Sequence, residues 1–270
     1  MTRLTVQETI ASRKSQGSGV LVAYLPAGYP TLEDSVHAAI AVLDAGADIL
    51  EFGVPYSDPV MDGVVIAEAT QKSLDNGFKL KNLFPALERI TSHSDKPVLV
   101  MTYWNPVVQY GLERFAADLK SAGGAGLITP DLIPDEAAEW IDLARQLELE
   151  SVFLAAPSSS DERLRRAAEV SRGFVYAVST MGITGIRADV DAAAQKLTER
   201  LYANGATEVC VGLGISTPDQ VRDVVSFADG AIVGSALVKA LAEEGVDGVA
   251  RRVAELRAGT TRSLAGTGKA

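Results

Sequence analysis

Asp48-Ile49-Leu50-Glu51-Phe52-Gly53-Val54-Pro55-Tyr56-Ser57-Asp58-Pro59-Val60-Met61-Asp62-Gly63 runs from a strand through a loop to the start of a helix. Ile49 to Val54 is mostly apolar, follows the turn signal Ala45-Gly46 and stops at Pro55, which reads as a strand. Residues two apart share a strand face, so Glu51 points with Ile49 and Gly53, and Leu50, Phe52 and Val54 point the other way. A lone carboxylate among apolar neighbours costs free energy unless something compensates it. Glu51 stands near the carboxyl end of the strand. The Pro-, Ser- and Asp-rich loop that follows carries Asp58 and Asp62, and Asp62-Gly63 opens a helical pattern. A strand-end Glu and a loop Asp are a way for an α/β enzyme to bring two carboxylates to one site.

The same alternation extends in both directions. Residues 4–16 read as a short leading helix, Val20 to Leu25 as a buried strand, and the stretch from the N-cap Thr31 to Ala45 as a helix. Helical patterns cover 62–76 and 80–92. Strands are then expected at 97–103, 125–129, 151–155, 174–179, 208–212 and 230–233. Helices are expected at 112–122, 135–146, 160–171, 189–204, 218–227 and 235–256. Eight apolar strands, most separated by one amphipathic helix, fit a closed (β/α)8 TIM barrel with a short additional N-terminal helix better than a doubly wound sheet. Counting strands does not show closure, so the doubly wound sheet stays open at this point. No linker divides the chain, which places one barrel domain at 1–257 and a flexible C-terminal tail at 258–270.

Composition bounds the function. At 270 residues the length suits one large α/β domain. A formal charge of −10 argues against a nucleic-acid surface, and it means an anionic substrate must be held by local groups. The single cysteine, Cys210, allows no internal disulfide and fits a reducing cytoplasm. No signal peptide or membrane-length apolar run is present, and a cytoplasmic location is expected.

In such a barrel the active site lies at the strand carboxyl ends. Two late loops suit an anion: Gly212-Leu213-Gly214-Ile215-Ser216-Thr217 and Gly234-Ser235, each running into a helix. Glycine lets the backbone approach, and free N–H groups at a helix start bind phosphate without Lys or Arg. Met181-Gly182-Ile183-Thr184-Gly185-Ile186-Arg187 is a glycine-hinged connection, either a lid or simply a mobile link. His37 and His93 read as surface or packing residues and Cys210 as core, so no metal site is expected. Asp131 joins the site or makes an ordinary turn, and Tyr176 faces either lumen or core.

Taken together, Leu50 to Pro59 with Asp62-Gly63 closely resembles the signature of the tryptophan synthase alpha subunit family. The resemblance continues through Tyr24 to Pro30, Tyr103-Trp104-Asn105-Pro106, Pro130-Asp131-Leu132, Gly182 to Gly185, Gly212 to Thr217 and Ala231 to Ser235, nearly the whole chain in order. It implies a lyase of tryptophan biosynthesis that cleaves indole-3-glycerol phosphate to indole and glyceraldehyde 3-phosphate. It further implies that Glu51 and Asp62 are catalytic, and that Tyr24 and Tyr176 line the substrate site. Thr184 matches the lid threonine, and Gly185, Gly214, Gly234 and Ser235 match a phosphate cradle. Pro55, Asp58 and Asn105 match positions facing a beta subunit in an alpha2beta2 heterotetramer. No cofactor is expected in this chain, with pyridoxal phosphate in the beta partner. Val60-Met61, Val64, Ala67, Thr129-Pro130 and Leu213 depart from the commoner pattern, and none removes a catalytic group.

The residues leave three other readings. One is a free-standing indole-producing lyase. Another is a phosphate-sugar isomerase on a similar barrel, which has no need of Asp62. The third is a non-catalytic activator of the partner, which the intact carboxylate pair disfavours.

Overall fold

A computed structural model describes residues 3–178, 187–212 and 214–262 (backbone alone for 187–191). Eight parallel strands close into a barrel in chain order. They are β1 (Val20–Pro26), β2 (Ile49–Gly53), β3 (Val98–Met101), β4 (Gly126–Thr129), β5 (Glu150–Ala155), β6 (Val175–Val178), β7 (Val209–Gly212) and β8 (Gly230–Val233). β1 pairs with both β2 and β8, which removes every sheet edge and sets aside the doubly wound alternative.

The faces follow the two-residue period read from the sequence. Leu50 and Phe52 pack outward into the layer between barrel and helices. Val20, Val22, Ile49, Leu99, Ile128, Val152, Phe174, Cys210 and Ile232 fill the lumen floor. The leading helix, α1 (Val6–Ser15), is the plug beneath that floor. Thr5 and Glu8 form its capping box, and Val6 and Ile10 are inserted fully buried into the lumen cluster. With the floor filled, the lumen is open only at the carboxyl ends of the strands.

Around the barrel run α2 (Leu32–Asp44), α3 (Val64–Asp75), α4 (Leu83–His93), α5 (Trp104–Tyr110) and α6 (Leu112–Ser121), followed by α7 (Ala138–Gln146), α8 (Asp161–Val170), α9 (Arg187–Ala203), α10 (Pro218–Phe227) and α11 (Ser235–Arg257). Helix α5 was not expected, because Asn105-Pro106 reads as loop. Pro106 sits in its first turn, where a missing N–H costs nothing, and the Asp131 carboxylate accepts the Trp104 N–H at 2.9 Å. Asp131 therefore caps a helix from the neighbouring loop. Helix α11 is two helices joined at Gly245, whose φ of 70° lies in the left-handed region.

The tail expected from 258 begins too early. Ala258–Thr260 form a buried 3-10 turn, Thr261 bridges to Ser18, and the Arg262 N–H donates to the Gly17 carbonyl at 3.0 Å. Two buried aspartates anchor this end. Asp48 accepts the Leu21 N–H at 2.9 Å and pairs with Arg257; Asp229 accepts the Val209 N–H at 2.9 Å and pairs with Lys14 and Arg262. These ties make 258–262 part of the barrel base, and 263–270 lie outside the described residues.

Candidate active site

The open end of the lumen is a concave, mostly apolar pocket with a few polar groups, the character of a small-molecule site. Register decides who lines it. Glu51 on β2 is the partner of Tyr24 on β1, and Tyr176 on β6 pairs with Leu154 and Cys210. Tyr24, Glu51 and Tyr176 all project above the apolar floor into the pocket. The two tyrosine rings need space opposite. A Cβ on Gly53 would lie 2.5 Å from the Tyr24 hydroxyl, and one on Gly212 would lie 2.6 Å from the Tyr176 hydroxyl. Ile66, Met101, Leu154, Val178, Ile215 and Ile232 complete an apolar wall.

Glu51 is 1% exposed, and its Oε2 has no hydrogen-bond partner among the described residues. Burial, reinforced by the nearby Asp62 charge, pushes its pKa up to about 8. At neutral pH it is mainly the protonated acid, which a proton donor requires. Asp62 lies in the same pocket on the loop leading into α3. Burial raises its pKa too, but a hydrogen bond from the Tyr103 hydroxyl to Asp62 Oδ1 at 3.2 Å opposes the rise. Two carboxyl groups thus share one pocket in unequal environments. Separation of this kind assigns one as acid and the other as anion.

The two glycine loops are not equivalent. The start of α10 is satisfied internally: Thr217 accepts the Gln220 N–H, and Gln220 Oε1 accepts the Ser216 and Thr217 N–H groups at 2.7 and 2.9 Å. The start of α11 has Gly234 as N-cap and no side-chain cap, and Gly234 and Ser235 both line the pocket. A helix start of this kind offers free N–H groups suited to an anion. Gly214, at a φ of 54°, joins the same wall from the β7 loop. Thr184 and Gly185 lie outside the described residues.

The expected partner-facing residues are at the same end. Asp58 and Asn105 are exposed; Pro55 is buried and turns the chain after β2. Val60 (77% exposed), Val64 (73%), Val108 (53%) and Ile133 (39%) are large apolar residues left exposed in the segments that follow β2, β3 and β4. His37 and His93 are surface residues paired with Glu33 and Asp44, and Cys210 is buried in the lumen floor.

Sequence reading missed Glu150. As the first residue of β5 it is buried beneath the floor, where it accepts the Val6 N–H at 2.9 Å, and burial pushes its pKa up to about 7. In the sequence it stands one residue before the strand expected at 151–155, with no signal of its burial. It also missed Tyr103, whose sequence position after β3 says nothing of its reach to Asp62.

Residues 10–264 match the family described as "Tryptophan synthase alpha chain". The tryptophan synthase alpha chain of Leifsonia xyli subsp. xyli is 60% identical over 257 residues, covering 95% of this chain and 98% of its own. That of Mycobacterium intracellulare is 46% identical, covering 97% and 99%. Among solved structures, tryptophan synthase from Mycobacterium tuberculosis superposes with a TM-score of 0.90 at 46% identity, covering 96% of this chain and 98% of that one. The tryptophan synthase complex from Pyrococcus furiosus gives 0.80 at 35% identity, covering 89% and 98%. With a closed eight-strand barrel, a buried acid beside a second carboxylate and an end-to-end match to these proteins, the chain belongs to the tryptophan synthase alpha chain family.

Proposed function

We propose that Glu51 and Asp62 carry the chemistry of this chain, the cleavage of indole-3-glycerol phosphate to indole and glyceraldehyde 3-phosphate. The observation that carries the assignment is the fully buried Glu51, its Oε2 without a partner among the described residues, beside a hydrogen-bonded Asp62 in one pocket. Protonated Glu51 gives its proton to indole C3, making indole a competent leaving group. As the C–C bond breaks, the Glu51 carboxylate takes the proton of the adjacent hydroxyl, and the aldehyde forms. Glu51 ends protonated, ready for another cycle. While C3 is protonated the ring N–H gains positive charge, and an ionised Asp62 accepts that hydrogen bond.

The apolar wall holds the indole, with Tyr24 and Tyr176 beside it. The uncapped start of α11, Gly234 and Ser235, receives the phosphate with Gly214. By resemblance, Thr184 is assigned to the lid and Gly185 to the phosphate cradle. The barrel, one domain through residue 262 in this reading, works as the alpha subunit of tryptophan synthase. The face around Asp58 and Asn105, shaped by Pro55, receives the beta subunit in an alpha2beta2 assembly. This chain carries no cofactor of its own, and pyridoxal phosphate belongs to that partner. Among the described residues no helix is long and apolar enough to cross a membrane.

Gly234→Asp tests the cradle. A Cβ there meets Ile66 Cδ1 at 3.3 Å and Tyr24 at 3.4 Å, contacts that side-chain ends can relieve, so the variant folds. Its carboxylate faces the phosphate dianion. KM for indole-3-glycerol phosphate is expected to rise about tenfold or more, with affinity for free indole changed far less. Equal losses for both ligands would place the cradle elsewhere.

A further inference from the structure

Tyr103 is 4% exposed and does not line the pocket, yet its hydroxyl meets two consecutive residues of the catalytic loop. It accepts the Met61 N–H at 3.0 Å and donates to Asp62 Oδ1 at 3.2 Å. The second contact is long for a hydroxyl–carboxylate pair, as catalytic hydrogen bonds often are before substrate binds. The ring is itself fixed: Tyr56 stacks on it with centroids 5.0 Å apart and planes 27° apart. Tyr56 in turn accepts a hydrogen bond from Asn105 Nδ2 at 3.4 Å, on the exposed face. One side chain thus joins the loop after β3 to the loop after β2 at the residue whose charge matters.

We propose that Tyr103 is a positioning residue that holds Asp62 both in place and in its ionised form. The inference deepens the reading of Asp62 as the carboxylate that accepts the indole N–H, and it rests on that reading. Without a donor, two influences drive Asp62 toward protonation. One is burial in the apolar mouth; the other is any negative charge on Glu51, which shares the pocket from β2. The other titratable groups facing it are Tyr24 from β1 and Tyr176 from β6, both neutral phenols whose pKa values lie well above the ordinary. Asp131, beyond Tyr103, adds negative charge to the phenol's surroundings and keeps it a donor. Among these groups the Tyr103 hydroxyl is the one that hydrogen-bonds Asp62, and a hydrogen bond to a carboxylate favours its charged form.

The sign of the effect follows. Removing the donor raises the Asp62 pKa, so a higher pH is needed to ionise it. The alkaline limb belongs to Glu51 and titrates where Asp62 is already charged. In Tyr103→Phe, assayed with the beta subunit bound, the acid limb of kcat for indole release should move up by about one pH unit. The alkaline limb should stay, and turnover at low pH should fall about tenfold. Replacing Tyr103 with 3-fluorotyrosine keeps every contact and makes a stronger donor, so it should move the acid limb down. This second variant covers a failure of Tyr103→Phe to fold, which thermal unfolding reports.

A uniform loss at every pH, or an acid limb unmoved in both variants, overturns the proposal. Asp62→Asn in the same series separates the two layers. If it is severely impaired while the Tyr103 limbs stay put, only the positioning role fails. If it retains near-parent turnover, the reading of Asp62 and the role of Tyr103 fall together.

Discussion

Glu51→Gln is expected to lose about a thousandfold in turnover while still binding substrate. The amide fills the same volume at the carboxyl end of β2, but it has no proton to cycle between indole C3 and the departing hydroxyl. The same variant should be the more stable protein near neutral pH. Burial raises the Glu51 pKa from 4.5 to about 8, so between those values the unfolded chain ionises and the native one does not. Stability of the parent therefore declines as pH rises through that window, and the variant escapes the decline. A buried amide still lacks partners, so the net gain at pH 7.5 is about 1–3 kcal/mol, a rise in Tm of roughly 3–8 °C. Indole release alongside thermal melts at pH 5 and 7.5 checks both halves. Parent-like turnover, or a lower Tm at pH 7.5, would remove Glu51 from the role of strained acid.

Asp62→Asn is expected to lose about a hundredfold in kcat with a small change in KM. Substrate carries little charge on its ring N–H; the protonated intermediate carries much more. An interaction that grows toward the transition state is read in kcat. The Tyr103 hydroxyl can still donate to the amide oxygen, so the loop keeps its anchor to Met61 and the loss isolates the charge. A rise in KM with kcat preserved would instead make Asp62 a ground-state binding residue.

These expectations rest on features that were visible in the sequence to different degrees. Strand β8 and helix α10 were read with their observed ends, because Gly230 opens an apolar run and Thr217-Pro218 is a direct start signal. Glu51 stood out as a charge in an apolar strand, and the two-residue period already placed it opposite Phe52. Helix α5 was missed because the cap that starts it comes from Asp131, on the next loop, and local spacing does not report such a partner. The base at 258–262 was missed for the same reason, since small polar residues read as frayed until Asp48 and Asp229 meet their cations.

Within the site, the two glycine loops look alike in the sequence, and the structure shows that their helix starts differ. Gln220 satisfies the start of α10, whereas α11 starts at Gly234 with no side-chain cap among the described residues. The Tyr103–Asp62 contact spans 41 positions between separate strand–loop units. Barrel closure creates it, and no local pattern carries it.

In the free protein Glu51 is a buried acid whose pKa is raised to about 8. The pH dependence of kcat/KM for indole release from indole-3-glycerol phosphate reports the ionisations of the free protein most directly. An alkaline limb is expected with a midpoint near 8, where Glu51 loses its proton and donation to C3 stops. A kcat/KM that stays level through roughly pH 9.5, in a chain still folded there, would contradict it.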